Sequence, residues 1–197
     1  HLIYSHRTLE EVFDAADRLD VDDLVMGWRS GSPIASGRIE PAFEELSQSL
    51  PCDMFVLKDQ GFDPTSVVIP VADDPNSGLC GAAARRFQQS YDSAVTLLHV
   101  VDGEGKRDSA ERFLADWADD HGLDEPTLAV DTGGDVETAI EAAANRHTML
   151  LIGATERGLL SRLLRRSLIF TVIDTVDCSV VLAERKHERS LRERLFG

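Results

Sequence analysis

A repeat constrains this chain more than any other feature. Gly27 and Gly153 each close an apolar run, Asp23–Met26 and Met149–Ile152, and each is followed 25 positions later by a cysteine, Cys52 and Cys178. A further apolar run follows each cysteine, Met54–Leu57 and Val180–Leu182. The common offset of 126 residues points to two copies of a unit larger than a single supersecondary motif. The earlier copy has about 57 residues to draw on and the later about 120. The expected organisation is a partial copy over 1–58, a link over 59–63, a full copy over 64–185 and a basic tail over 186–197. A start at His1 rather than Met fits the expectation of a fragment.

The full copy reads as alternating strands and helices. Thr65–Val71 is a β-branched apolar run, expected as a buried strand. Asp74 and Pro75 form a helix start, with Asp74 as cap and Pro75 in the first turn. The helix is expected to reach Ser90. Ala94–Val101, Thr127–Val130, Met149–Ile152 and Ser179–Ala183 are the following strands. Helices are expected over Asp108–Asp120 (closed by Gly122), from a cap at Asp135 to Asn145, and over Leu159–Thr175. In the partial copy, Leu2–Tyr4, Leu24–Met26 and Met54–Leu57 read as strands. Thr8 reads as the cap of a helix to Leu19, with Glu11 as its capping-box partner, and a second helix runs over Glu40–Ser49. Strands spaced by helices of this length predict an α/β fold with a parallel sheet and right-handed crossovers. Ligands on such sheets bind beyond the carboxyl ends of the strands, where strand order reverses. A partial copy leaves an apolar edge open. Either Leu2–Tyr4 fills it or another chain does, and the sequence favours the first.

Composition removes several functions. Acidic residues number 35 against 20 basic, giving a net charge of −15, so nucleic-acid binding is excluded as a general role. With only Lys58, Lys106 and Lys186 as lysines, the balance is that of a halophilic surface. No run approaches the roughly 18 apolar residues of a membrane span. Three cysteines make no disulfide framework, and Cys52 and Cys178 at strand starts read as core residues. No Cys-x-x-Cys or His-x-x-x-His spacing points to a metal. His99, set among valines, reads as a hydrogen-bonded, partly buried histidine, and Asp131 as a turn residue. No nucleophile elbow or paired base is visible, so an enzyme is not expected. The C-terminal cluster Arg185, Lys186, Arg189, Arg192 and Arg194, with Leu191, Leu195 and Phe196, reads as a solvated or self-packed tail, or as an amphipathic segment that lies on an anionic membrane surface or docks on an acidic partner.

The residues Val67–Val71 with the Asp-rich turn after them, Leu98–Val100, Leu151–Gly153, Leu159–Leu164 and Asp177–Val181 resemble the universal stress proteins. The resemblance covers residues 64–185, with 1–57 as a second, partial copy. It implies the α/β fold above, of the Rossmann-like adenine nucleotide alpha hydrolase kind. It also implies domains joined through their last strands, so that Met54–Leu57 lies beside Val180–Ala183 about a pseudo-twofold.

ATP-binding members of that family carry Gly-x2-Gly-x9-Gly-Ser/Thr after the fourth strand, where glycines let backbone N–H groups approach phosphate. Here the motif reads Gly153-x2-Glu156-x9-Arg166-Ser167. Glu156 repels phosphate, and Arg166 either supplies charge to an anion or fills the site. Gly158 is shifted by two positions. The family's adenine-contacting Asp falls at Ala72. The resemblance places a nucleotide base by Ala72, Asp73 and Val100. The phosphates fall by Gly153, Thr155 and Gly158, with Arg166 and Ser167. ATP or AMP is the implied ligand.

Tandem modules resembling this one occur as cytoplasmic extensions of haloarchaeal amino-acid permeases. The expected role is therefore the soluble regulatory part of such a transporter, with the permease domain of the same polypeptide as partner and a homo-oligomer or pseudo-dimer as the assembly. The alternative is a ligand-free dimerisation scaffold. The acidic surface generates one expectation directly. The thermal midpoint should rise as salt goes from about 0.1 M to about 1 M and the screening length falls from about 10 to 3 Å. A calorimetric series in KCl checks this, and a flat or falling midpoint overturns the halophilic reading.

Overall fold

The computed structural model describes residues 8–28, 50–72, 75–153, 172–173 and 175–186. Among these residues seven strands form one sheet: β1 (Asp23–Gly27), β2 (Asp53–Lys58), β3 (Ser66–Pro70), β4 (Ala94–Val100), β5 (Thr127–Asp131), β6 (Met149–Gly153) and β7 (Ser179–Glu184). Their order is β1-β2-β7-β6-β3-β4-β5. The α-helices among the described residues are α1 (Thr8–Leu19), α2 (Pro75–Tyr91), α3 (Arg107–His121) and α4 (Val136–Ala144), with a 3-10 turn at Glu104–Lys106. Residues 172, 173 and 175 are also helical. The expected strand Leu2–Tyr4, the helix Glu40–Ser49, most of Leu159–Thr175 and residues 187–197 of the tail lie outside the described residues.

The α/β expectation holds, and element boundaries agree to within a residue or two. One local reading is corrected: Thr8 is the first residue of α1 rather than a cap preceding it. Asp135 does cap α4. Its carboxylate accepts from the Thr138 N–H at 3.1 Å and from the Thr138 hydroxyl at 2.8 Å, and these bonds hold its pKa below the ordinary carboxylate range. α3 ends at Gly122, whose φ of 62° is the left-handed conformation a helix terminus commonly needs.

Strand alternation builds two cores, one on each face. On one face Met54, Val56, Val68, Leu98, Leu150, Ile152, Val180 and Leu182 pack against Phe13 of α1, Ile140 of α4, and Val172 and Ile173. On the other, Val67, Ile69, Leu97, Met149 and Leu151 pack against Leu79 and Cys80 of α2 and Leu114 and Trp117 of α3. Strands β3 and β6 are buried on both faces, as parallel strands under helices must be.

All neighbouring strands run parallel except β2 and β7. Those two pair antiparallel, Met54 with Glu184 and Lys58 with Val180, centred on Val56 opposite Leu182. Met54–Leu57 thus lies beside Val180–Ala183. Flanking pairs share a register: β1–β2 aligns Asp23 with Asp53 and Gly27 with Leu57, and β6–β7 aligns Met149 with Ser179 and Gly153 with Ala183.

Polar contacts fasten the junction. The Lys58 ammonium donates to the Ile173 carbonyl and, at 2.9 Å, to the Val176 carbonyl, closing the carboxyl end of the helical turn before β7. The link residue Gln60 donates its N–H to Ser179 Oγ at 3.0 Å. Phe62 stands edge-on to Phe87 and Tyr91 of α2, with centroids 6.1 Å away from each. Replacing Lys58 by Met should lower stability by about 1 kcal/mol, since two terminal carbonyls lose a cationic donor while the stem's packing is kept. Urea unfolding should show a lower midpoint with an unchanged slope, and an unaltered midpoint would show that the cap contributes nothing.

Candidate functional site

Strand order reverses at β3. The chain runs outward from β3 through β4 to β5, then returns to β6 and β7 on the other side. The crevice beyond the carboxyl ends of β3 and β6 is therefore the expected ligand position for a sheet of this kind. Ala72 follows β3 and is exposed, Val100 ends β4 half-buried, and Gly153 ends β6. Parallel neighbouring strands bring these three to one edge of the sheet. The other expected contacts, Asp73, Thr155, Gly158, Arg166 and Ser167, lie outside the described residues, as does Glu156.

The first turn of α2 forms the floor of this crevice. Ser77 is buried, and its Oγ accepts the Ala72 N–H at 3.3 Å. Asn76 is also buried, and its Oδ1 accepts the Arg185 N–H at 2.8 Å. Gly153 abuts the same turn: a Cβ there would stand 2.7 Å from the Asn76 carbonyl carbon and 2.8 Å from the Ser77 nitrogen. One helix start thus holds the chain leaving β3, β6 and β7. Sequence reasoning read Asn76 and Ser77 only as part of a helix start. The available signal was two small polar side chains directly after Pro75, where buried helix-start groups need local partners.

The wall on the β4 side is closed by His99. Its Nδ1 lies 2.9 Å from the Val71 carbonyl and is assigned as the donor, and its ring centroid is 4.7 Å from that of Phe113. This is the hydrogen-bonded, partly buried histidine that its valine setting predicts. Asp131 behaves as the turn residue expected, its Oδ1 accepting the Gly133 N–H at 2.8 Å. At the outer rim Arg107 pairs with Glu104, and Thr132 donates to the same carboxylate at 2.8 Å. The Arg107 contact first, and Thr132 second, hold the Glu104 pKa below the ordinary carboxylate range.

Two of the free cysteines, Cys52 and Cys178, sit where burial disfavours the thiolate. Burial pushes the Cys52 and Cys178 thiols above their ordinary value, and Asp23 and Asp53 add to the effect at Cys52. No group of three His, Cys, Asp or Glu side chains able to hold a metal occurs among the described residues. Among the same residues, no helix is long and apolar enough to cross a membrane.

No family model matches the chain, and no curated protein matches it. Solved structures do. A universal stress protein from Archaeoglobus fulgidus DSM 4304 is similar at a TM-score of 0.66 and 16% identity, over 92% of this chain and 66% of that one. The fold is that of the universal stress proteins. A Pseudomonas aeruginosa UCBPP-PA14 protein assigned to the same group is similar at a TM-score of 0.58 and 13% identity, over 88% of this chain and 67% of that one. A protein of unknown function from Pseudomonas aeruginosa PAO1 follows at 0.56 and 14% identity, over 93% of this chain and 69% of its own. The chain therefore spans about two thirds of the length of these structures, and at such identities the likeness carries the fold alone.

The two repeat glycines have different surroundings, and this generates a paired test. Gly153 sits against backbone, whereas a Cβ on Gly27 would meet nothing within 4 Å among the described residues. Gly153→Ala should cost about 1–3 kcal/mol through forced displacement of the α2 start. Gly27→Ala should stay within about 0.5 kcal/mol. Chemical unfolding of the two variants checks this, and equal penalties would refute the packing role of Gly153.

Proposed function

We propose that this chain is a regulatory module that binds an adenine nucleotide, ATP or AMP, at the carboxyl edge of β3, β4 and β6 and does not turn it over. The observation that carries the reading is the placement of Ala72, Val100 and Gly153 together at the point where strand order reverses. The helix start of α2 beneath them adds a favourable end for an anion. The wider role, the cytoplasmic regulatory part of an amino-acid permease on the same polypeptide, is supported by the sequence resemblance. So is assembly as a homo-oligomer or pseudo-dimer. A reading frame that continues upstream into about twelve spans of roughly 20 apolar residues supports the permease context, and one that does not removes it.

A second reading has its own observation. Gly153 is required by its contact with Asn76 and Ser77, so packing alone accounts for the first glycine of the phosphate motif. On that reading the module is a ligand-free scaffold held by β2 and β7.

Thermal-shift titration separates the two. A ligand present at 100 times its dissociation constant should add about 2.7 kcal/mol. Ala72→Asp, at an exposed position, should strengthen adenine binding by about 1 kcal/mol by supplying the missing acceptor. Stabilisation by ATP or AMP that grows in Ala72→Asp supports the nucleotide site. No response to millimolar nucleotide in either protein favours the scaffold.

A further inference from the structure

A cavity opens at the other edge of the sheet, by the amino ends of β4 and β5. It measures about 430 Å³ and lies between the last turns of α2 and the loop from α3 to β5. Its two walls are tied together. The Gln88 amide donates to the Asp124 carbonyl at 2.7 Å and accepts the Asp124 N–H at 3.0 Å, fastening the loop to α2. Both helices end here. The Asp92 N–H donates to the Gln88 carbonyl at the end of α2, and the Gly122 and Leu123 N–H groups donate to the Asp119 and Ala118 carbonyls at the end of α3. The carboxyl ends of two helices thus bring partial negative charge to one place.

The lining carries side chains of both charges that do not pair with one another. Arg85, Asp92, Asp124 and Glu125 line the cavity, and none of their side chains makes an ion pair or hydrogen bond among the described residues. Arg85 reaches over Gly122, where a Cβ would stand 3.6 Å from its Nη1. Ser93, in the same lining, is 5% exposed, and its Oγ has no hydrogen-bond partner among the described residues. Ser93 is in step with Val95 and Leu97, whose side chains face α2 and α3, so alternation turns its hydroxyl to the side on which the cavity lies. A buried hydroxyl left unpaired is costly, and one set in a cavity wall marks where an incoming polar group is held.

We infer that this cavity binds a basic amino acid, with its carboxylate on the Arg85 guanidinium, its ammonium groups among Asp92, Asp124 and Glu125, and the Ser93 hydroxyl as a further partner. A guanidinium is the side chain best shaped to hold a carboxylate. A simple anion would meet three carboxylates and two helix carboxyl ends, and a simple diamine would leave Arg85 facing like charge. A ligand with one carboxylate and two cationic groups matches one guanidinium set among three carboxylates. The volume admits a molecule of that size together with bridging water. The inference is independent of nucleotide binding, since the cavity opens by the amino ends of the strands and the crevice lies beyond their carboxyl ends.

Backbone amide NMR titration of the purified 197-residue chain tests it at one fixed salt concentration, with L-lysine and with cadaverine, which lacks the carboxylate. L-lysine should shift residues 85–93 and 122–125 saturably with a Kd of about 1 mM or tighter, and cadaverine should bind about tenfold more weakly. Non-specific attraction to a body of charge −15 gives the reverse order, because cadaverine is the stronger cation. Arg85→Met should weaken L-lysine about tenfold without weakening cadaverine, a coupling that assigns the carboxylate to Arg85. Ser93→Ala should weaken L-lysine about fivefold, while the unfolding midpoint without ligand stays level or rises because an unpaired buried hydroxyl is gone. Three results overturn the inference: no saturable shift by about 10 mM L-lysine, or shifts centred elsewhere in the chain; cadaverine binding as tightly as L-lysine; or Arg85→Met and Ser93→Ala variants that fold normally and bind L-lysine unchanged.

Discussion

The antiparallel pairing of β2 with β7 is the constraint on which the rest of this structure depends. Every other strand contact is parallel and lies within one side of the sheet or the other. Without the β2–β7 ladder, β1 and β2 would have no sheet to join, and two strands alone do not make a stable unit. The ladder also merges the cores. Met54 and Val56 share a face with Val180 and Leu182, and that face carries Phe13 from α1 beside Ile140 from α4. Lys58 sits at one end of this ladder and closes the turn at Val172–Val176, so one of three lysines in the chain spans the junction.

The reciprocal register explains how such a junction arises. Met54 opposes Glu184 and Lys58 opposes Val180, and these are the same two repeat positions exchanged. A local twofold between Val56 and Leu182 satisfies that pattern, as a self-complementary contact between like units does. The equal registers of β1–β2 and β6–β7 extend the match one strand outward on each side. The equivalence stops at the next position, where β6 has β3 and β1 has no described neighbour.

At the carboxyl edge, rigidity is concentrated in the first turn of α2. Ser77 holds the chain leaving β3, Asn76 the chain leaving β7, and Gly153 lets β6 approach the same turn. A ligand seated above this turn would press on three strand exits at once, including the one that continues from the junction strand β7. This is the physical route by which occupancy of the edge could be felt at the seam.

Much of the fold was legible in the residues. Val67–Ile69 and Leu150–Ile152 are too uniformly apolar for a half-exposed strand, and both strands are buried on each face. Asp135 and Gly122 announced a helix start and a helix end, and the structure realises both. The spacing of Gly27 to Cys52 and Gly153 to Cys178 carried the equivalence of the two strand pairs. Thr8 misled as a cap, because a hydroxyl residue before an apolar face is equally compatible with the first helical position. The partners of Asn76 and Ser77 were illegible, because two small polar side chains after Pro75 mark a helix start without saying which chain segments they hold. Their partners are the exit of β3, close in sequence, and the exit of β7, more than a hundred residues away. The sequence by itself determined the strand and helix order, the alternation that makes two cores, and the repeat. Only the tertiary structure decided which strands are neighbours, which pair runs antiparallel and which glycine packs against backbone, because those depend on distances between segments that local propensity and periodicity do not encode.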